Sequence, residues 1–447
     1  MKHILRNVFV LALGLGLGIQ LASGGNETVN AASNPRAGLP LDELRTFTEV
    51  FAKIKSDYVE EVGDGDLLEN AIRGMLSGLD PHSAYLDPDA YGGLQEGTSG
   101  EFGGLGIEVG MEDGFVRVIA PIDDTPAEQA GIKAGDLIVR LDDTPVKGMS
   151  LNDAVKMMRG RPGTAIQLTI VREGEEKPLA ISVKRAVIKV QSVKSRTLEP
   201  QLGYVRISHF QTRTGEDLSA ALDTLKRENK YKLSGIILDL RNNPGGILGS
   251  AVAVADVFME KGLIVLTKGR GKGSELRFDA KPKDALNGAP MVILVNGGSA
   301  SASEIVAGAL QDARRAVLMG SKTFGKGSVQ TILPMNNNAA LKLTTALYYT
   351  PSGRSIQAEG IVPDIILDRV KVAAAENPAL DEIKESNLTR HLSNGKQPPA
   401  EAPKSETKPA DTKANDKNGE ALATSDYELY EALNLLKGLT LQRRAPN

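Results

Sequence analysis

The chain has 447 residues, which at the usual size of ~150 residues suggests about three domains. Its 53 Lys and Arg against 56 Asp and Glu leave a net charge of −3, which excludes a basic surface built to hold a phosphate backbone. With no Cys, no Trp and four His, disulfides, thiolate metal sites and cysteine nucleophiles are excluded, so any chemistry must come from hydroxyls, carboxylates, lysines and backbone amides.

Residues 1–33 read as a signal peptide. Lys2 and Arg6 precede the apolar run Val8–Ile19, which is shorter than the about 20 residues a bilayer span requires. Small residues follow at Ala22–Ser23 and Ala31–Ser33, as a cleavage site needs. The expectation is an exported, periplasmic protein, with membrane association left open. Residues 34–94 form a helical segment, with Leu44, Phe47, Val50, Phe51, Ile54 and Tyr58 at helical spacing and a second helix from about Leu67 to Leu76.

Residues 95–187 change character. Short β-branched strands such as Val116–Ile119 and Ile166–Val171 alternate with Gly, Pro and Asp turns around one helix, Leu151–Arg159. Residues 188–370 alternate strand and helix. The apolar runs Ile236–Leu240, Leu263–Leu266 and Val292–Val295 are separated by helical patterns near 214–228, 248–258 and 302–313, as in an α/β layer core. A helical extension is expected over 371–393. Residues 394–424 are too poor in large apolar side chains to order themselves and read as a linker. The last segment, 425–447, is an amphipathic helix with Leu429, Leu433, Leu436 and Leu439 on one face. It needs a surface to dock on, either its own core or a second subunit.

Two stretches carry candidate function. Glycines at Gly103, Gly104 and Gly106 precede an alternating strand from Ile107, so backbone amides at Gly104, Leu105, Gly106 and Ile107 can converge on a carboxylate. The helix bearing Val155 supplies an opposite wall for an apolar terminal side chain. With Pro126–Ala127, Ala130–Gly131 and Ala134–Gly135–Asp136 downstream, residues 98–185 resemble a bacterial PDZ domain. The second stretch is Ser299–Ala300–Ser301–Ala302–Ser303–Glu304, entered from strand Met291–Val295 and leading into a helix. A serine at such a turn exposes its hydroxyl at the positive end of a helix dipole. On this segment alone, a capping box at Ser301-x-x-Glu304 is the better account. A base is needed too: either His209, paired with Asp239, or a lysine made neutral by burial, for which Lys326 in Thr323–Gln330 is the candidate. Gln330, four residues on, can orient an amine without adding charge.

Taken together, these segments resemble the carboxyl-terminal processing peptidases, or tail-specific proteases. The resemblance rests on Gly203–Ile207, Leu238–Gly246, Ser299–Glu304, Thr323–Gln330, Leu343–Ala346, Tyr348–Ile356, Gly360–Asp364 and Leu79–Ser83, and spans roughly residues 40–370 plus the last helix. It implies a multi-domain α/β protein: a crotonase-like α/β protease core with an inserted PDZ domain and helical N- and C-terminal segments. It also implies Ser301 as nucleophile, Lys326 as base, Gln330 as its assistant, and oxyanion donors at Ala302 and the pair Gly245–Gly246. His209, where the family more usually has a small residue, reads as a packing or surface variant. No metal or cofactor is implied, and no nucleic acid. The implied substrates are proteins with apolar C-termini, cell-wall hydrolases among them. Arg159 and Arg161 stand beside the binding wall and could couple it to the catalytic centre. A lipoprotein adaptor remains open, and the apolar stripes of the first and last helices lead to the expectation of a homo-oligomer built from both ends.

Overall fold

The computed structural model describes residues 40–122, 124–368, 370 and 422–444. The signal peptide at 1–33, the helical extension at 371–393 and most of the linker lie outside them. Up to Met75 the described chain forms a unit of its own. It contains the helix Leu41–Asp57 and most of the helix Asp64–Ser77. The first carries Asp42 and Glu43 in its opening turn and Lys55 in its last, which suits the helix dipole, and it ends where Tyr58 turns extended.

From Leu76 onward three larger sheets and a two-stranded one, Glu101–Gly104 with Ala186–Lys189, organise the described chain. The central one has six strands in the order Val193–Glu199, Leu202–Ile207, Gly235–Asp239, Met291–Val295, Val317–Gly320 and Ile365–Ile366. The first pair is antiparallel and every later pair is parallel. Its inner strands read as unbroken apolar runs because both faces are covered. Ile236, Leu238, Ile293 and Val295 meet the helices Thr214–Glu228, Leu248–Asp256 and Ala302–Asp312 on one side. Their neighbours Ile237, Val292 and Leu294 meet Leu429, Ala432, Leu433 and Leu436 of the helix Tyr427–Arg444 on the other. The two-residue period of a strand thus divides one sheet between two cores. The last helix docks on its own chain, so the alternative that it waits for a second subunit is corrected: the outer face of the sheet is apolar and this helix covers it.

A second, antiparallel sheet carries Ala84–Leu86, Ala340–Tyr349, Leu263–Gly269 and Glu275–Asp279, with Ser328–Pro334 also paired to Ala340–Tyr349. The third belongs to the PDZ segment. It has six strands: Ile107–Glu112, Phe115–Pro121, Leu137–Leu141, Ala165–Val171 and Leu179–Lys184 in that order, with Thr144–Pro145 also paired to Leu137–Leu141, around a separate core of Val116, Val118, Ile138, Leu168 and Ile170. The strand Ile107–Glu112 lies at the edge of this sheet. One helix was not foreseen: Pro88–Ser99, capped by the Asp87 carboxylate, which accepts the Ala90 amide.

Because Leu436 is fully buried under the sheet, Leu436→Ala should cost about 2–4 kcal/mol of stability. Equilibrium chemical denaturation of the whole chain measures this, and a loss below ~1 kcal/mol would mean that the helix is not an integral part of the core.

Candidate active site

Three loops meet at the carboxyl ends of three adjacent parallel strands. The strand Gly235–Asp239 leads into Asn242–Gly246, Met291–Val295 into Asn296–Ser301, and Val317–Gly320 into Thr323–Gly327. Ligands of open parallel sheets gather at this end.

Of the three serines in the central loop, two are committed to structure. Ser299 and Ser303 are fully buried. The Ser299 hydroxyl donates to the Leu240 carbonyl at 2.8 Å, and that of Ser303 to the Asn243 carbonyl at 2.9 Å. Ser301 differs. Its backbone sits at φ 56° and ψ −112°, where an ordinary N-cap would be extended. A residue with a Cβ pays for that geometry with strain, of the kind a strand-to-helix nucleophile turn imposes.

The conformation is held by Glu304, which is fully buried. Its Oε2 accepts the Ser301 amide at 2.8 Å and the Lys326 amide at 2.8 Å. Its Oε1 accepts the Thr323 hydroxyl at 2.6 Å and the Gly325 amide at 2.7 Å. The acidic member of the expected capping box therefore does more than cap: one carboxylate oxygen joins the backbones of Ser301 and Lys326.

Ser301, Ala302, Gly246, Lys326 and Gln330 border one cavity of about 420 Å³. Gly245 stands behind it. A Cβ there would lie 2.8 Å from the Ser301 Cβ, and one on Gly246 would lie 2.1 Å from the Phe210 carbonyl oxygen, so both positions require glycine. The Gly245 amide is already spent on the Asn243 side chain at 2.9 Å. Those of Gly246 and Ala302 have no acceptor among the described residues.

Lys326 is half-buried, and its amine is held below the ordinary lysine range first by burial and then by the facing Lys342, against the opposing pull of Asp80 and Glu304. Lys342 and Tyr348 also border the cavity, and the Tyr348 hydroxyl donates to the Lys326 carbonyl. Neither residue was foreseen, because both alternate along an ordinary strand. Gln330 is close by, but its amide donates to the Ser328 hydroxyl at 2.9 Å and to the Thr344 hydroxyl at 3.3 Å. No hydrogen bond joins it to the Lys326 amine among the described residues. Thr344 in turn donates to Asp80 at 3.1 Å. Asp80 is held down to about 2 by the Ser83 hydroxyl, with the amides of His82 and Ser83 and the Thr344 hydroxyl assisting. The segment Leu79–Ser83 thus supplies a carboxylate that acts on the Lys326 amine.

His209 also borders the cavity. Burial pushes its pKa down. The carboxylate a triad would need is occupied elsewhere: Asp239 accepts from the Tyr204 hydroxyl at 2.8 Å and pairs with Arg241 at 2.7 Å and Arg206 at 3.2 Å. The His209–Asp239 alternative therefore lacks its orienting bond.

In the PDZ segment the amides of Leu105 and Gly106 have no acceptor among the described residues, while Gly104 belongs to a short strand paired with Ala186–Lys189. The Leu105 side chain is buried in the PDZ core, so any contact it offers is through its backbone. Ile107 opens the free edge strand, and Val155 packs partly buried on the helix Leu151–Met158. Arg159 stacks on Phe102 at 4.6 Å and pairs with Glu96 of the helix Pro88–Ser99. That helix lends Leu94 and Thr98 to the catalytic cavity. Arg161 stays in its own turn, its carbonyl bound by Thr164.

Residues 201–367 match peptidase family S41, residues 103–183 match the PDZ domain, and residues 19–90 match the N-terminal domain of the activating protease CtpB. The chain is 48% identical over 404 residues to the carboxy-terminal-processing protease of Bartonella bacilliformis, covering 89% of this chain and 88% of that one. It is 34% identical over 369 residues to the carboxy-terminal processing protease CtpA of Bacillus subtilis, covering 82% and 78% respectively. Among solved structures, the photosystem II D1 C-terminal processing protease is 32% identical with a TM-score of 0.43, over 72% of this chain and 86% of that one.

Replacing Glu304 by Ala strips four donors, two of them in buried bonds, of their acceptor. The expected result is a loss of about 3 kcal/mol or more with activity abolished, measured by denaturation and peptide hydrolysis. Retention of normal turnover would show that the shared carboxylate is dispensable.

Proposed function

We propose that this chain, which belongs to the carboxy-terminal-processing protease family and is a serine-type peptidase, cleaves exported proteins near their C-termini through an acyl-enzyme on Ser301. The observation that carries the reading is the single buried carboxylate that fixes Ser301 and Lys326 beside one cavity bordered by two open amides. Neutral Lys326 takes the proton from the Ser301 hydroxyl, which attacks the scissile carbonyl. The oxyanion forms against the Gly246 and Ala302 amides. Gly245 acts by close approach, its own amide being spent. Lys326 returns the proton to the leaving amine, and water then resolves the ester. Gln330 acts through Ser328 and Thr344, keeping the lysine's surroundings in order.

The PDZ edge strand and the open Leu105 and Gly106 amides suit capture of a free C-terminus, with Val155 on the facing wall. The Arg159–Glu96 pair supports a gating role for this module, since it leads to a helix that borders the cavity. Apolar C-termini, cell-wall hydrolases and a lipoprotein adaptor belong to this proposal, as does export to the periplasm. So does a homo-oligomer, supported by Leu44, Phe47, Val50 and Ile54 exposed along the helix Leu41–Asp57. Light scattering of the mature chain tests it: a monomer would remove that part.

Two tests address the chemistry. Ser301→Ala and Lys326→Ala should each lower kcat by about 10³-fold or more on an unfolded protein substrate, while His209→Ala changes it less than ~10-fold. Substantial cleavage by Lys326→Ala with His209 intact would sink the dyad. The second test is pH. The base must be neutral, so kcat should rise as pH rises through the lowered amine pKa, and fall below it. The same shift has a sign in stability: the unfolded lysine holds its proton more tightly, so folding is penalised below the ordinary lysine pKa. Lys326→Met should therefore raise the melting temperature at neutral pH, with the gain shrinking as pH climbs toward that value.

A further inference from the structure

We propose that the chain's last helix positions the oxyanion loop through Arg241, with Asp426 and Glu428 as positioning residues of the catalytic centre. Arg241 stands between the central strand Gly235–Asp239 and the loop that ends at Gly245–Gly246. Its guanidinium is largely buried and bound from two directions. On the strand side it donates to Asp239, from Nε at 3.0 Å and Nη2 at 2.7 Å. On the helix side it meets Asp426 with a bidentate pair of bonds, both 2.8 Å, and Glu428 with one at 2.8 Å. Those partners are 185 and 187 residues away in sequence. Such fork-to-carboxylate bonds fix an orientation as well as a position.

Charge explains why the helix matters here. Arg206 also pairs with Asp239, and it donates to the Arg241 carbonyl at 3.2 Å. Without the helix, two guanidiniums would share one buried carboxylate. With it, three carboxylates face them, and Arg241 is held at both backbone and side chain.

From Arg241 to the open Gly246 amide is a short and stiff path. The Asn242 amide donates to Asn296 at 2.9 Å. The Asn243 side chain donates to the Ile207 carbonyl at 2.8 Å and accepts the Gly245 amide at 2.9 Å. The Asn243 carbonyl receives the Ala300 amide at 3.0 Å, next to Ser301. A tilt at Arg241 therefore reaches Gly246 and the nucleophile turn together. Neither Asp426 nor Glu428 borders the cavity, and Glu428 meets Arg241 directly, while Asp426 meets both Arg241 and the Leu429 amide, at 3.1 Å.

The inference rests on Gly246 and Ala302 as oxyanion donors. The test is the full chain with Asp426→Asn and Glu428→Gln together, which removes charge but keeps shape. Lys437→Gln, which breaks the Lys437–Glu199 pair on the same helix, is the control. Turnover should fall about 10–100-fold with KM within about twofold, since loss of a whole oxyanion donor costs about 10²–10³. A peptide boronate, whose tetrahedral adduct puts an oxygen in the oxyanion position, should lose affinity in the same proportion. The matching peptide should bind the Ser301→Ala form of either protein equally well, and the control should keep wild-type turnover. A lowered melting temperature with kcat intact, or wild-type behaviour throughout, would overturn the proposal. Should the double variant not fold, Glu428→Gln alone is read the same way, with an expected ~3–10-fold loss in kcat. Failure of the underlying reading is separate: there the Ser301→Ala protein itself still cleaves.

Discussion

The catalytic half depends on a single buried anion. Taking the Glu304 carboxylate out of water is costly, and it persists because three amides and a hydroxyl converge on it. Those donors come from two loops that share no sheet pairing. The anion therefore draws the loop after one strand onto the turn after its neighbour. It also secures the unusual backbone of Ser301, because the amide of that residue is among its donors. Strain at the serine and desolvation at the lysine are both unfavourable alone, and the same carboxylate opposes both.

The rest of the core supplies the frame for this arrangement. Adjacent parallel strands end side by side, so the loops that carry Gly246, Ser301 and Lys326 begin within neighbouring positions of one sheet. The sheet is stiff because helices cover both of its faces, and alternate side chains of each strand enter different cores. The PDZ segment has a core of its own, separate from those on the two faces of the central sheet.

Much of this was legible in the sequence, and the exceptions have physical causes. Runs such as Ile236–Leu240 and Val292–Val295 are apolar throughout because they are covered twice, and their helices follow from spacing alone. Ser301 was recognisable as a candidate, but a capping box has the same letters. Only the backbone angles separate a strained nucleophile turn from a cap. Glu304 looked like the partner of that cap, since its bonds to Thr323, Gly325 and Lys326 join segments about twenty residues apart. Which glycine keeps a free amide depends on where the Asn243 side chain points. The helix Pro88–Ser99 carries Gly92, Gly93 and Gly97, so local propensity argues against it and tertiary contact decides. Lys342 and Tyr348 were hidden by the two-residue period of their strand, which sends alternate residues to a cavity that no local pattern announces.

The docking of the last helix has a consequence for how such a chain is made. Its eighteen residues close the outer face of a sheet whose first strand appears more than two hundred residues earlier. Until they emerge, Ile237, Val292 and Leu294 have no cover and Arg241 lacks two of its three carboxylates. Chain order therefore leaves this face of the sheet open until the segment 427–444 has been made.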